Sequence, residues 1–418
     1  MSEHFFDDLE TRDPGERERA LFAALPDFLT KSVAAAPGLA RWLAGIDLAA
    51  ITDRAALARL RVLRKSELMA FQAASPPFGG FADPAALQGR RAFLSPGPLW
   101  EPELGSRVAT DTARAFFAAG IRAGDIVHNS FAYHVTPAGF MLDEGARSLG
   151  CTVFPAGGGA TDTQVEAAAA LRPSVFCGTP DFLKIMLDRA DAMGRDLSSF
   201  RCALVSGGAL FPSLRGEYRA RGVEMMQCYA TAEFGVIAYE SPAIDGTVNP
   251  GMIVNENLIV EIVRPGTSDP VADGEVGEIV VTGFDPAYPL VRLGTGDLSA
   301  ILPGASPCGR TNRRIKGWMG RADQRTKVKG MFVDPAQIAE IVRRHPEIAR
   351  ARLVVTRDGA RDKMALHVEA KAGGAPDTAM VEAALREITK LGGSVHIAPA
   401  GSLANDGKVI SDERDYAH

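Results

Sequence analysis

Two short motifs in this sequence combine carboxylates, a cation and glycine in a way that suits nucleotide binding. A Thr-Gly-Asp motif at 295–297 follows an apolar run that predicts a strand, and a Gly-Arg-Ala-Asp motif follows at 320–323. A carboxylate such as Asp297, held at a strand end by a glycine turn, can accept two hydrogen bonds from the diol of a ribose. The Arg321 guanidinium beside small residues suits phosphate contact at a hinge. Each motif alone is more typical of a turn or a solvated loop.

A third stretch, at 229–233, alternates functional side chains with alanine. In an extended segment Tyr229, Thr231 and Glu233 face one side. They offer a ring for stacking, a hydroxyl for a phosphate and a carboxylate for Mg²⁺, which takes only one or two carboxylates in nucleotide sites. From this segment alone, a half-buried strand with a turn glutamate is the better interpretation.

A small-residue turn, Ser206-Gly207-Gly208-Ala209, lies just upstream of that stretch. Such residues let the backbone approach a flat ring closely. A plain strand-to-helix turn explains this composition equally well.

The composition restricts the class of protein. A chain of 418 residues predicts a large domain plus a smaller one. A net charge of −5 without a Lys/Arg block argues against nucleic acid and against a polybasic membrane anchor. No apolar run approaches the roughly 20 residues of a membrane span, and the acidic start is unlike a signal peptide. Five scattered cysteines without a CxxC pair predict reduced thiols in a cytoplasmic protein.

The order of helical and strand patterns predicts an α/β fold. Residues 1–70 read as an amphipathic helical cap with no catalytic motif. From about residue 107 to 209, helices alternate with short apolar strands, which predicts a parallel or mixed sheet with helices on both faces. Ligands then belong at the carboxyl ends of the strands. We therefore predict a helix-covered sheet domain over 1–322 and a small α+β domain over 323–418.

The order and separation of these motifs resemble the AMP-forming adenylate ligases (acyl-CoA synthetases), in particular the phenylacetate–CoA ligase branch. Four further segments, at 155–159, 177–183, 307–311 and 335–338, are similar to that branch. The resemblance thus covers nearly the whole chain in order. It implies ATP/AMP, Mg²⁺ and coenzyme A as cofactors, a small carboxylic acid as substrate, and a mobile C-terminal domain.

The resemblance also implies roles for individual residues. Tyr229, with Ala230 in place of the usual glycine, would pack on adenine beside the 206–209 turn, Thr231 would contact the α-phosphate, and Glu233 would hold Mg²⁺. Lys408, in a terminal Asp-Gly-Lys turn, would serve adenylation as a mobile point charge. The remaining assignments are Tyr133, His134 and Gly139 in the acyl pocket, Asp323 as the hinge, and Lys329 as a coenzyme A contact.

One segment departs from the family pattern. The flexible loop that grips the β- and γ-phosphates is replaced by Phe-Leu-Ser-Pro-Gly-Pro-Leu-Trp-Glu-Pro at 93–102, which has no Thr and no Lys. Its prolines remove amide donors, and Glu101 is expected to repel a triphosphate. Other cations, Arg91, Arg310 or Arg313, are candidates to replace the loop.

Three classes of function remain open on this sequence. The first is an AMP-forming acyl-CoA ligase for a small aryl or arylacetic acid. The second is a nucleotide- or acyl-adenylate-binding homologue that has lost ATP activation, acting as a regulatory protein or an acyltransferase. The third is a scaffold without a ligand. The oligomeric state, a homodimer included, is not fixed by these patterns.

Overall fold

The computed structural model describes residues 4–208, 210–264, 267–322, 325–359, 361–403 and 409–414, without the side chains of 335, 336 and 339. The chain forms two compact units, Met1–Met319 and Gly320–His418, whereas the sequence predicts a division after residue 322.

The helices of the first unit are α1 (Pro14–Ala35), α2 (Pro37–Trp42), α3 (Arg54–Ala58), α4 (Lys65–Ala74), α5 (Ser106–Ala118), α6 (Ala138–Ser148), α7 (Thr161–Leu171), α8 (Pro180–Met193) and α9 (Pro212–Ala220). Its strands are β1 (Leu63–Arg64), β2 (Ala92–Leu94), β3 (Trp100–Pro102), β4 (Ile126–Asn129), β5 (Thr152–Pro155), β6 (Val175–Gly178), β7 (Cys202–Val205), β8 (Glu224–Thr231), β9 (Gly235–Tyr239), β10 (Met252–Val254), β11 (Leu258–Val263), β12 (Gly277–Gly283), β13 (Leu293–Ser299), β14 (Ile301–Leu302) and β15 (Arg314–Ile315).

A nine-stranded sheet forms the centre of the first unit, in the order β14-β15-β10-β9-β8-β7-β6-β4-β5. The five strands from β8 to β5 run parallel, and those beyond β8 are antiparallel. Strands β6 and β7 are buried along their whole length, as strands covered by helices on both faces must be. The predicted mixed sheet is therefore confirmed, and the carboxyl ends of its parallel strands share one edge.

A second sheet, in the order β1-β13-β12-β11, includes a strand from the predicted helical cap. Strand β1 pairs in parallel with β13, with Leu63 opposite Leu293. Helix α4 begins directly after β1, so its first residue, Lys65, is fixed next to the strand that carries Asp297. The cap is thus an integral part of the second sheet.

Helix α4 also holds the hairpin formed by β2 and β3. The Gln72 side chain accepts a hydrogen bond from the Trp100 amide at 2.9 Å and donates one to the Trp100 carbonyl at 2.8 Å. Lys65 and Gln72 are seven residues apart, two helical turns, and therefore lie on the same face of α4.

The second unit is an α+β module, as the sequence predicts. It contains β16 (Thr326–Val328), β17 (Met331–Val333), α10 (Pro335–Arg344), β18 (Ile348–Asp358), β19 (Arg361–Ala370), α11 (Thr378–Thr389), β20 (Ser394–Ala398) and β21 (Ile410–Asp412). Strands β20-β19-β18-β21 form one sheet, and β16 and β17 form a separate hairpin. The long β18–β19 ribbon is antiparallel over its whole length, while β20 and β21 add in parallel.

Two further expectations concern the whole chain. All five cysteines are free and buried, in line with the predicted reduced thiols. Among the described helices, we find none with both the length and the apolar character that a membrane crossing requires.

We expect one buried histidine to make the first unit sensitive to acid. His128, on β4, is fully buried beside Phe154, Phe176 and Phe200, and its Nε2 lies 2.8 Å from Gln164 Oε1. Burial lowers the pKa of His128, so below about pH 6.5 the unfolded chain binds a proton that the native state resists. The contribution of the neutral His128 to the free energy of unfolding is therefore fully present above that pH and is lost as the pH falls. In urea unfolding, the free energy of unfolding of His128→Gln should fall less between pH 7 and 5 than that of the wild type. The two slopes should differ by at most about 1.4 kcal/mol per pH unit. His134→Gln, at an exposed position, is the matched control; equal pH slopes in wild type and His128→Gln would contradict the assignment.

Candidate active site

Asp297, the carboxylate predicted to bind ribose, contacts Tyr229, whose ring is predicted to stack on adenine. Asp297 Oδ2 accepts a hydrogen bond from the Tyr229 hydroxyl at 2.7 Å, and Oδ1 accepts one from the Trp318 indole N–H at 2.8 Å. Tyr229 and Asp297 are both buried. Two neutral donors thus hold a carboxylate at the end of β8, with one oxygen directed to each.

The Thr-Gly-Asp motif is part of a strand, and the expectation of a turn at a strand end was wrong. Opposite it, the register between β12 and β13 shifts between Glu278 and Val280. Gly296 has φ +76°, a left-handed conformation that glycine tolerates best, and its N–H donates to Glu278 Oε1 at 3.2 Å. A bulge of this kind re-aims a side chain from within a strand, which explains how Asp297 reaches Tyr229 on another sheet.

The small-residue turn at 206–209 follows β7 at the carboxyl edge of the sheet. Ser206 is buried, and its hydroxyl donates to the Cys228 carbonyl at 2.8 Å, which ties the turn to β8. Gly207 and Gly208 are exposed, and the Gly208 carbonyl accepts from Gln227 Nε2 at 2.7 Å. Ala209 lies outside the described residues. The exposed glycine backbone is therefore next to the Tyr229 strand, as its predicted role requires.

Glu233 lies in the turn between β8 and β9, not in the alternating strand. Strand β8 ends at Thr231 after a register shift between Tyr229 and Ala230, so the expected common face holds only in part. The Glu233 side chain is 1% exposed, and its Oε1 lies 2.6 Å from the Lys65 ammonium. Burial by itself raises the pKa of Glu233, but Lys65 outweighs it, and the pKa of this carboxyl lies below its ordinary value.

Lys65 is the site residue that the sequence analysis missed. It belongs to the predicted cap, where no motif marks it, and it lies far from Glu233 along the chain. The one available signal was the similarity of the Arg-Lys-Ser-Glu-Leu segment around it to the start of the related ligases. Its side chain is 26% exposed, so the ammonium is only partly shielded from the surroundings of the site.

Burial weakens the repelling charge expected of Glu101. It is fully buried on β3, where it contacts the hydroxyls of Ser95 and Tyr288. Burial, and then the negative charge of Glu233, raise the pKa of Glu101 well above its ordinary value. Burial therefore favours the neutral form of this carboxyl.

The segment that replaces the phosphate loop is a closed hairpin. Strands β2 and β3 pair from Ala92 opposite Pro102 to Leu94 opposite Trp100. The Ser95 N–H donates to the Leu99 carbonyl at 2.8 Å, and Pro96 and Pro98 have no N–H. Few amides remain to surround a triphosphate, which agrees with the predicted loss of the usual grip.

All three cations suggested as replacements already have carboxylate partners, and the partner of Arg91 is Glu103. Arg310 forms a buried ion pair with Glu10 at 2.7 Å, and neither side chain is more than 3% exposed. Arg313 pairs with Asp273 on the surface. Arg91 is half exposed and stacks on Phe140, 4.2 Å from the ring centroid.

The predicted acyl segment lies beside a cavity, and its assignment remains a prediction. The Tyr133 hydroxyl donates to Asp143 Oδ2 at 2.9 Å, and His134 is exposed. Gly139 allows close packing, because a Cβ there would meet the Ala132 carbonyl oxygen at 2.5 Å. A cavity of about 20 Å³ lies beside it; its lining includes Phe93, Val108, Pro137, Phe140, Met141 and Ala232. Since Ala232 lies between Thr231 and Glu233, this cavity adjoins the nucleotide motif.

The remaining predicted residues belong to the second unit. The Arg321 guanidinium lies 5.6 Å from the centroid of the Phe332 ring, which Arg325 and Lys327 also approach. Lys329 is exposed at the tip of the β16–β17 hairpin. Lys408 and Asp323 lie outside the described residues.

Comparison with known proteins decides the family. A family model described as AMP-binding enzyme matches residues 114–286. The phenylacetate–coenzyme A ligase of Aromatoleum evansii is 30% identical over 305 residues, which cover 70% of this chain and 68% of that protein. The phenylacetate–coenzyme A ligase of Pseudomonas putida is 31% identical over 308 residues, with 71% and 69% covered. The chain belongs to the phenylacetate–coenzyme A ligase family.

The solved structures agree on the fold of this family member. 2-Hydroxyisobutyryl-CoA ligase, in complex with 2-HIB-AMP and CoA, superimposes with a TM-score of 0.82 at 24% identity, covering 99% of this chain and 93% of that chain. At that identity the likeness concerns the fold alone. The predicted family and fold class are confirmed, and with them the assignment to acid–coenzyme A ligases that form an acyl-adenylate.

The residues around Glu233 fit a bound divalent cation poorly. Its carboxylate is already compensated by the Lys65 ammonium, 2.6 Å from Oε1. The role of Glu233 as a magnesium ligand remains a prediction, and the Lys65 ion pair competes with it.

Replacement of Asp297 should separate ligand binding from folding. Asp297→Asn keeps the shape but removes the charged acceptor for a ribose diol, so we expect at least about tenfold weaker AMP binding. Trp318→Phe removes one donor to that carboxylate and should mainly cost about 1–2 kcal/mol of unfolding free energy. Isothermal titration with AMP and urea unfolding measure the two effects. Trp100→Phe, at an exposed tryptophan, is the control; unchanged AMP affinity in Asp297→Asn would remove Asp297 from the site.

Proposed function

We propose that this protein activates a small aryl or arylacetic acid as its acyl-adenylate and transfers the acyl group to coenzyme A. The observation that carries the proposal is the Tyr229–Asp297 contact at the carboxyl edge of the sheet, beside the exposed Gly207–Gly208 backbone. In this arrangement the Tyr229 ring could stack on a base, Asp297 could accept hydrogen bonds from a diol, and the glycine backbone could approach the ligand closely. The curated relatives bear the name phenylacetate–coenzyme A ligase, which favours an arylacetic acid.

The cavity beside Ala232, whose lining is mainly apolar but includes Glu103 and Glu144, supports the choice of an aromatic acid. Phe93 and Phe140 provide aromatic walls, and their ring centroids are 5.8 Å apart. Aromatic rings pack well in offset or tilted arrangements at such distances. The cavity is narrow, so a flat ring would have to be admitted by movement of the side chains around it, among which Met141 is the most adaptable.

The reaction would proceed in two displacements. A carboxylate oxygen of the acid attacks the α-phosphorus of ATP, and the bond to the β-phosphate oxygen breaks to release pyrophosphate. The Thr231 hydroxyl, which is buried without a regular hydrogen bond, would donate to the α-phosphate. Lys408 would meet the carboxylate and the α-phosphate as charge develops between them. The coenzyme A thiol, losing its proton, then attacks the acyl carbon, and AMP leaves.

The small unit would contribute the groups that act after the nucleotide binds. Lys408 precedes β21, which Arg414 anchors through a 3.0 Å ion pair with Asp362 and a 2.8 Å hydrogen bond to Asp412 Oδ1. Asp323 would serve as the hinge, Arg321 as a phosphate contact and Lys329 as a coenzyme A contact. Magnesium would enter with ATP as part of the substrate, and we assign it no step. A homodimer is compatible with this chemistry but is not required by it.

The closed turn at 95–99, between β2 and β3, favours a second function. Because few of its amides could bind the β- and γ-phosphates, the protein would bind AMP or an acyl-adenylate without using ATP. ATP–pyrophosphate exchange with a panel of aryl, arylacetic and short aliphatic acids separates the two. Exchange that depends on an aryl or arylacetic acid is the expected result. An AMP-induced rise in melting temperature without any exchange would replace the proposal by this second function.

Lys408→Ala should abolish exchange and leave AMP binding intact, because the lysine would act on the transferred group and not on the nucleoside. The measurements are pyrophosphate exchange and the AMP-induced melting shift, with the exposed Lys31→Ala as the control variant. Equal exchange in Lys408→Ala and wild type would exclude the assigned role.

Met141→Ala should shift the preference towards bulkier aryl acids by enlarging the cavity beside Ala232. We expect the ratio of kcat/KM for a naphthyl over a phenyl acid to rise by about an order of magnitude. Steady-state assays with both acids measure this ratio, and Met380→Ala, at an exposed methionine, is the matched control. An unchanged ratio would place the acyl pocket elsewhere.

A further inference from the structure

The buried acidic pair Glu101 and Glu233 raises a question of charge that the proposed function leaves unanswered. Glu233 is 2% exposed and Glu101 fully buried, and their charges interact directly. Two ionised carboxylates in such a place would be prohibitively costly without compensation. The structure provides one ammonium, Lys65, 2.6 Å from Glu233 Oε1.

One cation and two carboxyl groups balance when one carboxyl keeps its proton. Lys65 lies directly beside Glu233, whereas Glu101 contacts the hydroxyls of Ser95 and Tyr288. The Lys65–Glu233 pair is neutral by itself, and burial together with the charge of Glu233 favours the protonated form of Glu101 beside it. A divalent ion at Glu233 would have to displace Lys65 or share the carboxylate with it, at the cost of a close like-charge contact.

The hydrogen bonding around the cluster is incomplete. Neither oxygen of Glu233 accepts a hydrogen bond of regular geometry, and Glu101 Oε2 and Thr231 Oγ1 are likewise buried without one. Buried polar atoms are normally satisfied, and the partner that the structure provides in this cluster is the Lys65 ammonium, 2.6 Å from Glu233 Oε1. The rigid positioning of Lys65 explains how such an arrangement is maintained, since α4 is attached both to β13 through β1 and to the hairpin through Gln72.

We propose that Lys65 is the resident counter-cation of Glu233 and takes the place that a metal ion would otherwise fill, so that the adenylate pocket binds AMP without a divalent cation. The inference rests on the proposed function for the identity of the ligand. It makes Glu233 a positioning residue that holds Lys65 at the nucleotide motif.

Metal binding tests the proposal directly. Mn²⁺ is titrated into the full-length protein without nucleotide and followed by electron paramagnetic resonance, for wild type and for Glu233→Gln. We expect the same weak binding in both, because Glu233 holds no metal. Binding in wild type that is at least tenfold tighter than in Glu233→Gln would overturn the proposal, whatever the outcome with nucleotides.

The AMP-induced melting shift provides the second arm. It should be equal in MgCl₂ and in EDTA. A shift that requires Mg²⁺, and whose Mg²⁺ requirement disappears in Glu233→Gln, would overturn the inference while leaving the nucleotide pocket in place. No AMP shift in either buffer would instead count against the proposed function, and the Mn²⁺ titration and the cycle below would still decide on Lys65.

A double-mutant cycle tests the ion pair itself. Lys65→Met should lower the melting temperature more than the surface control Lys31→Met does. Lys65→Arg keeps the positive charge and should retain most of the wild-type stability. Adding Glu233→Gln to Lys65→Met should recover part of the loss, because the uncompensated buried carboxylate is removed. Strictly additive losses would show that the two groups are not coupled and would overturn the proposal. If Lys65→Met does not fold, the same cycle is run with Lys65→Gln, and the Mn²⁺ titration of wild type remains decisive.

Discussion

The requirement that a charge buried away from water be paired or neutralised governs the first unit of this protein. At the nucleotide motif, Glu233 has an ammonium partner, and burial raises the pKa of the neighbouring Glu101. Elsewhere in this unit, the fully buried Arg292 is matched by Glu261 at 2.9 Å. Breaking such a pair by removing one partner costs about 3–5 kcal/mol. The same rule that fixes the framework therefore fixes the chemistry available at the site.

These buried pairs also bring segments together that are distant in sequence. Glu10, near the start of the chain, pairs with Arg310, and Arg17 pairs with Glu256 at 2.7 Å. The amino-terminal helices are thereby attached to both sheets. The amino-terminal helices, predicted from the sequence to be a separate cap, belong to the scaffold that positions Lys65. The active site depends on them as much as on the motifs of the parallel sheet.

The sequence predicted well those features that depend on local pattern. Alternating helices and apolar strands predicted the parallel half of the sheet, since the patterns correspond to β4 through β7 and their helices. The motifs around Tyr229 and Asp297 were recognisable because each carries its functional groups within a few residues. Lys65 could not be found in this way, because its partner comes from another element and only packing brings them together. The direction of Asp297 likewise depends on a bulge whose register is set by the facing strand, and the ionisation of Glu101 depends on burial.

The indole of Trp318 donates its N–H to the carboxylate predicted to receive the ribose. The chain has three tryptophans; Trp100 is largely exposed, and Trp42 lies under the Arg61 guanidinium, 4.3 Å from its ring centroid. An indole excited state is sensitive to the charge and hydrogen bonding at its nitrogen, so any ligand that competes for Asp297 alters the emission of one residue against a background of two others. The protein thus contains its own optical reporter at the centre of the nucleotide motif, and occupancy can be followed in real time without a label.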